Sequence, residues 1–402
     1  MKTFTTMIMA GGRGERLFPL TRSHAKPAIR FGGIYYIIDF TLSNCVRSGV
    51  KRIFMLTQFA SSSLERHIRR GWAGLFRSEF GEYIETRPPQ NYTGQEWYTG
   101  TADCIFKNID LIEEEHSDGV LILSGDHIYK MDYRKLLWFH HDNNADLTVT
   151  CIEVPLENVN NFGVVTVDKN SKIKSFDEKP DNPKPIPGNE THAYCNMGVY
   201  YFQKDFLVDI LKKDSADKNS SHDFGKDIIP KLITSGKKIF AYEFLDENKK
   251  GNPYWRDIGT LDAYYEANMD LIDIDPVFNL YDNRWPIRCF NPQLPPAKTV
   301  FNWQGENRVG LATDSLISPG VIISGGRVER SILSPEVHVR SYTTISNSIL
   351  FDRVEVGQDC CIKNAIIDRN VKLPPGTKIG LNLEEDRQKY TVTEKGVCVV
   401  TS

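Results

Sequence analysis

Met7-Ile8-Met9-Ala10-Gly11-Gly12-Arg13-Gly14-Glu15-Arg16-Leu17, closed ten residues on by Ala25-Lys26-Pro27, carries the reading of this chain. Its apolar start reads as a short buried strand. Gly11, Gly12 and Gly14 then let backbone N–H groups converge on phosphate oxygens with no Cβ in the way. Arg13, Arg16 and Lys26 add countercharge, an arrangement suited to a nucleoside triphosphate. A glycine turn after a first strand also serves purely structural ends, and it is the flanking cations that favour phosphate. The run lacks the Gly-Lys-Ser/Thr of a Walker A loop, and Gly12-x-Gly14 has no third glycine of a dinucleotide fingerprint.

Outward from that loop, residues 1 to about 245 alternate short apolar runs with helical patterns. Arg52 to Thr57 precedes a helix at Leu64 to Arg70, and Val120 to Leu123 precedes one at Tyr133 to Asp142, the rhythm of an α/β sheet. Ala102, Ile105, Ile109 and Ile112 recur at helical steps, which predicts an amphipathic helix from Thr101, as N-cap, to Glu115. In such sheets ligands sit beyond the carboxyl ends of the strands, where the glycine loop and Ser124-Gly125-Asp126 both emerge.

The last hundred residues follow another rule. Ile332, Ile349 and Ile366 stand 17 apart, as do Val337, Val354 and Val371; Val339, Val356 and Leu373; and Val328, Ile345, Ile362 and Ile379. Branched apolar residues about every six positions, separated by Gly, Pro, Asn and Asp, predict a parallel β-helix with three short faces per coil. His338 reads as a surface histidine. Between the two patterns a helix follows Thr260, and Asn291-Pro292-Gln293-Leu294-Pro295-Pro296 reads as a linker, giving domains at 1–290 and 291–402.

At 402 residues the chain is long enough for two domains, and its 49 basic against 52 acidic residues leave a net charge of −3. With no dominant basic stripe, a nucleic acid polymer is not an expected partner. Glu65 to Arg70 reads as a solvated helix face. Eight cysteines, Cys360-Cys361 adjacent and no Cys-x-x-Cys among them, read as free and mostly buried thiols. Met1-Lys2-Thr3 runs straight into the first strand, and no apolar stretch has membrane-spanning length. A soluble, cytoplasmic protein is expected.

Leu123-Ser124-Gly125-Asp126-His127-Ile128-Tyr129 ends a strand in an acid, and Trp255-Arg256-Asp257-Ile258-Gly259-Thr260 puts a second acid before a helix. Asp126 and Asp257 are the expected ligands of Mg2+, which favours a pair of carboxylates plus phosphate oxygens and water. Phe176-Asp177-Glu178-Lys179-Pro180, following a strand at Lys172 to Ser175, offers Glu178 to sugar hydroxyls and Lys179 to a phosphate, or forms a solvated turn.

Gly11 to Pro27 resembles the signature of sugar-nucleotide pyrophosphorylases. Ile37 to Cys45, Glu96-Trp97-Tyr98-Thr99-Gly100-Thr101-Ala102-Asp103 and Ser220-Ser221-His222-Asp223-Phe224-Gly225-Lys226-Asp227 narrow the resemblance to the glucose-1-phosphate adenylyltransferases of glycogen and starch synthesis. It runs from Met7 to the C-terminal tail. The resemblance implies an α/β fold, with a nucleotidyltransferase Rossmann-like mixed sheet and a C-terminal left-handed parallel β-helix. It implies that ATP and α-D-glucose 1-phosphate give ADP-glucose and pyrophosphate. Arg16, Lys26 and Asp126 would then be catalytic, with Gly11, Gly12 and Gly14 at the triphosphate. Tyr98, Gly100 and Thr101 would lie near nucleotide and sugar phosphate; Gly163, Glu178, Lys179 and Asn196 would hold glucose 1-phosphate; and Asp223 would join the substrate site. Gln58 and Trp97 match positions linking regulatory and substrate sites.

Two departures stand out. Asn196-Met197-Gly198 replaces the usual Ser-Met-Gly, and Ser23-His24 stands where relatives activated by fructose 1,6-bisphosphate often carry basic residues. A small-molecule allosteric effector and a homotetramer, or a hetero-oligomer with a related subunit, are further implications. The alternatives are a pyrophosphorylase for another nucleotide and a non-catalytic regulatory subunit. A plastid location applies only to a processed plant chain.

Overall fold

The computed structural model describes residues 3–89, 97–160, 162–302 and 308–401. The chain divides into two compact units, one of Met1–Gly12, Thr41–Gly125 and Lys130–Trp255, the other of Arg13–Phe40, Asp126–Tyr129 and Arg256–Ser402.

The first unit is built on a mixed sheet of nine strands among the described residues. Phe4–Ala10 lies between Arg52–Thr57 and Gly119–Ser124, parallel to both, with Met7 opposite Phe54 and Ile122. All three of those side chains are buried. Parallel strands covered on both faces are apolar throughout, which is why these segments read as unbroken hydrophobic runs. Tyr83–Arg87 continues the sheet in parallel beyond Arg52–Thr57. On the other side the direction reverses, where His192–Gln203 pairs antiparallel with Gly119–Ser124, Leu147–Pro155 and Gly163–Val167. Because Phe4–Ala10 and Gly119–Ser124 run in parallel, their carboxyl ends release Gly11-Gly12 and Gly125 at one edge, and Gly125 N–H donates to Met9 O at 3.0 Å.

Two local expectations are corrected. The helix expected over Thr101 to Glu115 is two helices, Thr101–Phe106 and Ile109–Glu114. Asn108 breaks it, its amide turning back to Cys104 O at 2.9 Å and to the Tyr98 hydroxyl at 3.2 Å. The first helix is capped not by Thr101 but by a distant carbonyl: Ala102 N–H donates to His222 O at 2.8 Å. The strand expected at Lys172 to Ser175 runs from Ile173 to Glu178, so Asp177 and Glu178 lie within it, paired with Val164 and Gly163. Strand pairing holds the backbone extended until Lys179, whose φ of 49° ends it.

The second unit carries the parallel β-helix. Ile332, Ile349 and Ile366 stack in register, as do Val339, Val356 and Leu373, and Val328, Ile345, Ile362 and Ile379. Nearly all are fully enclosed, and burying each branched side chain contributes roughly 1.5–3 kcal/mol. Corners repeat with the same period: Arg330, Asn347 and Asn364 have φ of 44°, 45° and 48°, and Glu336, Arg353 and Asn370 have 62°, 56° and 61°. Asn is among the residues that tolerate this left-handed geometry best. A serine ladder lines the interior, Ser348 N–H donating to Ser331 Oγ at 3.1 Å and Ala365 N–H to Ser348 Oγ at 3.2 Å. His338 is exposed, and all eight cysteines are free, six of them buried. Residues 291–296 carry neither helix nor strand.

Candidate active site

In the second unit, one side-chain group is assembled from positions far apart in sequence. Gly14, with φ 63°, caps the short turn Glu15–Leu17 that carries Arg16. A Cβ on Gly14 would lie 2.8 Å from Thr21 Cγ2 and 3.2 Å from Lys26 Cβ, so both backbone angle and space require glycine. Lys26 opens the turn Lys26–Ala28, set by Pro27. The short strand His127–Tyr129, next after Asp126, pairs with the short strand Trp255–Asp257.

The result is a compact ionic group. Lys26 Nζ lies 2.6 Å from Asp126 Oδ2 and 3.5 Å from Asp257 Oδ1. Burial disfavours the charge on Lys26, but Asp126 and then Asp257 outweigh it and hold the ammonium above its ordinary pKa. His127 Nε2 stands 3.5 Å from Asp126 Oδ1 and 4.0 Å from Asp257 Oδ1. One ligand atom from each of Asp126, His127 and Asp257 falls within 4.8 Å of the others, a set of two carboxylates and an imidazole able to hold a divalent cation. Arg16 is beside them: a Cβ on Gly259 would meet an Arg16 guanidinium nitrogen and Asp257 Oδ2, each at 3.4 Å.

The first unit holds a second group. Gly163 faces Phe176 and Glu178 so closely that a Cβ there would lie 2.6 Å from Phe176 Cζ and 2.9 Å from Glu178 Oε2. A Cβ on Gly225 would lie 3.4 Å from both Glu178 Oε2 and Asp223 Oδ1. Asp223 accepts from Gly225 N–H at 2.9 Å and Lys226 N–H at 3.1 Å, capping the helical turn Phe224–Ile228, and from the Thr101 hydroxyl at 3.0 Å. Gly100 lies against the same loop, where a Cβ would be 2.2 Å from His222 O. Asn196 sits at a register shift, its oxygen accepting from Gly198 N–H at 3.0 Å and its amide donating to the Tyr200 hydroxyl at 2.8 Å. Burial first, then the nearby Asp223 and Glu178 carboxylates, push the Tyr200 hydroxyl well above its ordinary pKa.

The expected residues therefore fall into two gatherings. Arg16, Lys26, Asp126 and Asp257 come together in one unit, and Gly100, Thr101, Gly163, Glu178, Asn196 and Asp223 in the other. Lys179 is exposed, immediately after Glu178. Tyr98 packs against the sheet core, its hydroxyl pushed up to about 12 by burial. Trp97 is exposed, its carbonyl accepting from Lys107 Nζ at 3.4 Å. Gln58 meets Gly11, where a Cβ would lie 2.9 Å from Gln58 Cβ, whereas a Cβ on Gly12 would meet nothing among the described residues within 4 Å. Packing thus explains Gly11, while Gly12 leaves room for something to approach. Glu96 lies outside the described residues. Sequence reasoning missed His127 as a candidate metal donor, although it adjoins Asp126. It also missed Tyr200, whose four-residue offset from Asn196 along a strand was the available signal.

Comparison with known proteins gives the family. The family described as "Nucleotidyl transferase" matches residues 5–274, and "GlmU-like, C-terminal hexapeptide" matches 295–400. The fold and site thus define a nucleotidyltransferase enzyme carrying a hexapeptide-type β-helix. The chain is 51% identical to a glucose-1-phosphate adenylyltransferase of Koribacter versatilis, over 98% of this chain and 94% of the relative. It is 48% identical to one of Rhodopirellula baltica, over 100% and 90%, and 50% identical to one of a Shewanella species, over 98% and 94%. It belongs to the glucose-1-phosphate adenylyltransferase family.

Proposed function

We propose that this chain transfers the adenylyl group of ATP to α-D-glucose 1-phosphate, releasing pyrophosphate and forming ADP-glucose for glycogen synthesis. The observation that carries the reading is the convergence of Arg16, Lys26, Asp126, His127 and Asp257, cations and carboxylates together, in a chain about half identical to named adenylyltransferases.

The chemistry requires no protein base. A phosphate monoester has a second pKa of about 6, so the attacking oxygen of glucose 1-phosphate is already anionic near neutrality. The protein's task is to bring two anions together and align the attack on the α-phosphorus opposite the departing pyrophosphate. Gly12 gives the triphosphate close access to backbone N–H groups, and Arg16 and Lys26 balance its charge. Glu178 accepts hydrogen bonds from glucose hydroxyls, Gly163 and Asn196 shape that subsite, and Lys179 pairs with the sugar phosphate. Asp126 and Asp257 hold magnesium, with His127 as a neighbouring donor. When bound, the ion supplies neutralisation of charge on the triphosphate and the leaving group. Exchange of one phosphoanhydride for another makes the reaction readily reversible.

The rest of the reading follows the family. The catalytic domain spans residues 1–290 and the β-helix domain 291–402, in keeping with matches at 5–274 and 295–400. Gln58 and Trp97 communicate with a small-molecule effector, the subunits form a homotetramer, and the protein is cytoplasmic. Among the described residues no helix is long and apolar enough to cross a membrane.

Pyrophosphate release is measured with glucose 1-phosphate and magnesium, supplying ATP, UTP, dTTP, GTP and CTP in turn. ATP is expected to be strongly preferred. Preference for another nucleotide would reassign the substrate, and silence with all five would make the chain a regulatory subunit.

A further inference from the structure

Lys26 holds the position on the two aspartates that a divalent cation would need. Its ammonium is 2.6 Å from Asp126 Oδ2 and 3.5 Å from Asp257 Oδ1, and its side chain is only 10% exposed, against 27% and 35% for the two carboxylates. Lys26 lies in a turn set by Pro27, and a Cβ on Gly14 would lie 3.2 Å from its own Cβ, so glycine at position 14 leaves the base of the lysine its room. The ligand atoms of Asp126, His127 and Asp257 already lie within 4.8 Å of one another, so the donor set is formed and its countercharge is internal. An ammonium and a dication compete for the same carboxylate lone pairs and repel each other at short range.

We propose that Lys26 is a resident counter-cation that closes the Asp126–Asp257 pair to free divalent metal until a nucleoside triphosphate draws the ammonium onto its own oxygens. The inference rests on the proposed reading of the two aspartates as the metal site. Metal and nucleotide then bind as coupled partners, because the triphosphate removes the charge that opposes the metal. Linkage makes the coupling reciprocal: metal in place strengthens nucleotide binding by the same factor. The device keeps the carboxylates charge-balanced at every stage and denies the site to loose cations when there is nothing to activate.

The test titrates Mn2+ into nucleotide-free protein and counts free ion by electron paramagnetic resonance. Wild type is expected to bind weakly, and Lys26→Met, similar in length but uncharged, at least ten-fold more tightly. Equal or weaker binding by the variant overturns the proposal. Should Lys26→Met fail to fold by circular dichroism, wild type decides it. A rise in Tm with Mn2+ alone that Asp126→Asn abolishes overturns the proposal; no rise, or one that Asp126→Asn leaves intact, supports it. These measurements need no turnover, so failure of the adenylyltransferase reading shows separately, in the pyrophosphate assay.

Discussion

Arg30 grips Asp352 across 322 positions of sequence with two hydrogen bonds, Nε to Oδ2 at 2.8 Å and Nη2 to Oδ1 at 2.6 Å, and both side chains are buried. A third donor of the same guanidinium reaches Ile34 O at 2.6 Å, and its plane lies over the Tyr36 ring with 4.3 Å to the centroid. Within the second unit this fork ties the segment that follows Lys26 to a coil of the β-helix. Removing one member of a buried, bidentate pair strands the other charge away from water. Asp352→Asn is therefore expected to cost about 3–5 kcal/mol, read as a lower denaturant midpoint. The double variant Arg30→Met/Asp352→Leu should recover much of that loss, and no recovery would show that the pair itself stabilises.

Asp126→Asn and Lys179→Ala should separate in kinetics. On the proposed reading Asp126 is a metal ligand, and its loss also unbalances Lys26, so kcat should fall by about 10²–10³-fold, with an increased magnesium requirement. Lys179 is exposed beside Glu178, and on the proposed reading it pairs with the sugar phosphate. A lost charged hydrogen bond of about 1.5–3 kcal/mol corresponds to roughly a 10–150-fold rise in KM for glucose 1-phosphate, with KM for ATP nearly unchanged. A fall in kcat at constant KM for Lys179→Ala would move that residue out of the sugar-phosphate subsite.

Gly100→Ala probes how the loop of Asp223 is held. The added Cβ would approach His222 O to 2.2 Å and Ser221 O to 2.5 Å, both backbone atoms that yield only if the loop moves. The same His222 carbonyl caps the helix Thr101–Phe106, and the Thr101 hydroxyl holds Asp223. The variant should lose about 1–3 kcal/mol of stability and at least ten-fold in kcat/KM for glucose 1-phosphate. Unchanged melting and kinetics together would show the loop to be adaptable.

What was legible in the sequence divides along physical lines. The β-helix declared itself because each coil repeats the same burial requirement, so Val328, Ile345, Ile362 and Ile379 recur at a fixed interval. Its first coil was hidden, because Leu311 pairs Arg327 and Leu316 pairs Ile332 at a spacing of 16, one short of the repeat. Its last was hidden too: Val399 pairs Ile366 only after the inserted helix Leu383–Arg387. The parallel strands were legible from their apolar runs, whereas the break at Asn108 depends on a side chain turning back to the backbone. Asp126 and Asp257 were legible as acids at the ends of elements. That Lys26 sits on both of them is a tertiary fact with no local signature.

Asp132 allows a test of charge in the scaffold with a definite pH sign. It caps the helix Tyr133–Asp142 through Arg134 N–H at 3.0 Å and takes a bidentate grip from the Arg134 guanidinium. Burial would raise its pKa, but the Arg134 hydrogen bonds outweigh it and hold the carboxyl below its ordinary value of 3.8. A depressed carboxyl contributes stability above its unfolded pKa and loses it as pH falls through the folded one. Asp132→Ala should therefore cost about 1–2 kcal/mol at pH 7, measured by denaturant unfolding. The gap between wild type and variant should stay constant down to about pH 5 and close progressively below 3.8. A gap that widens on acidification would mean that Asp132 acts through packing and not through its charge.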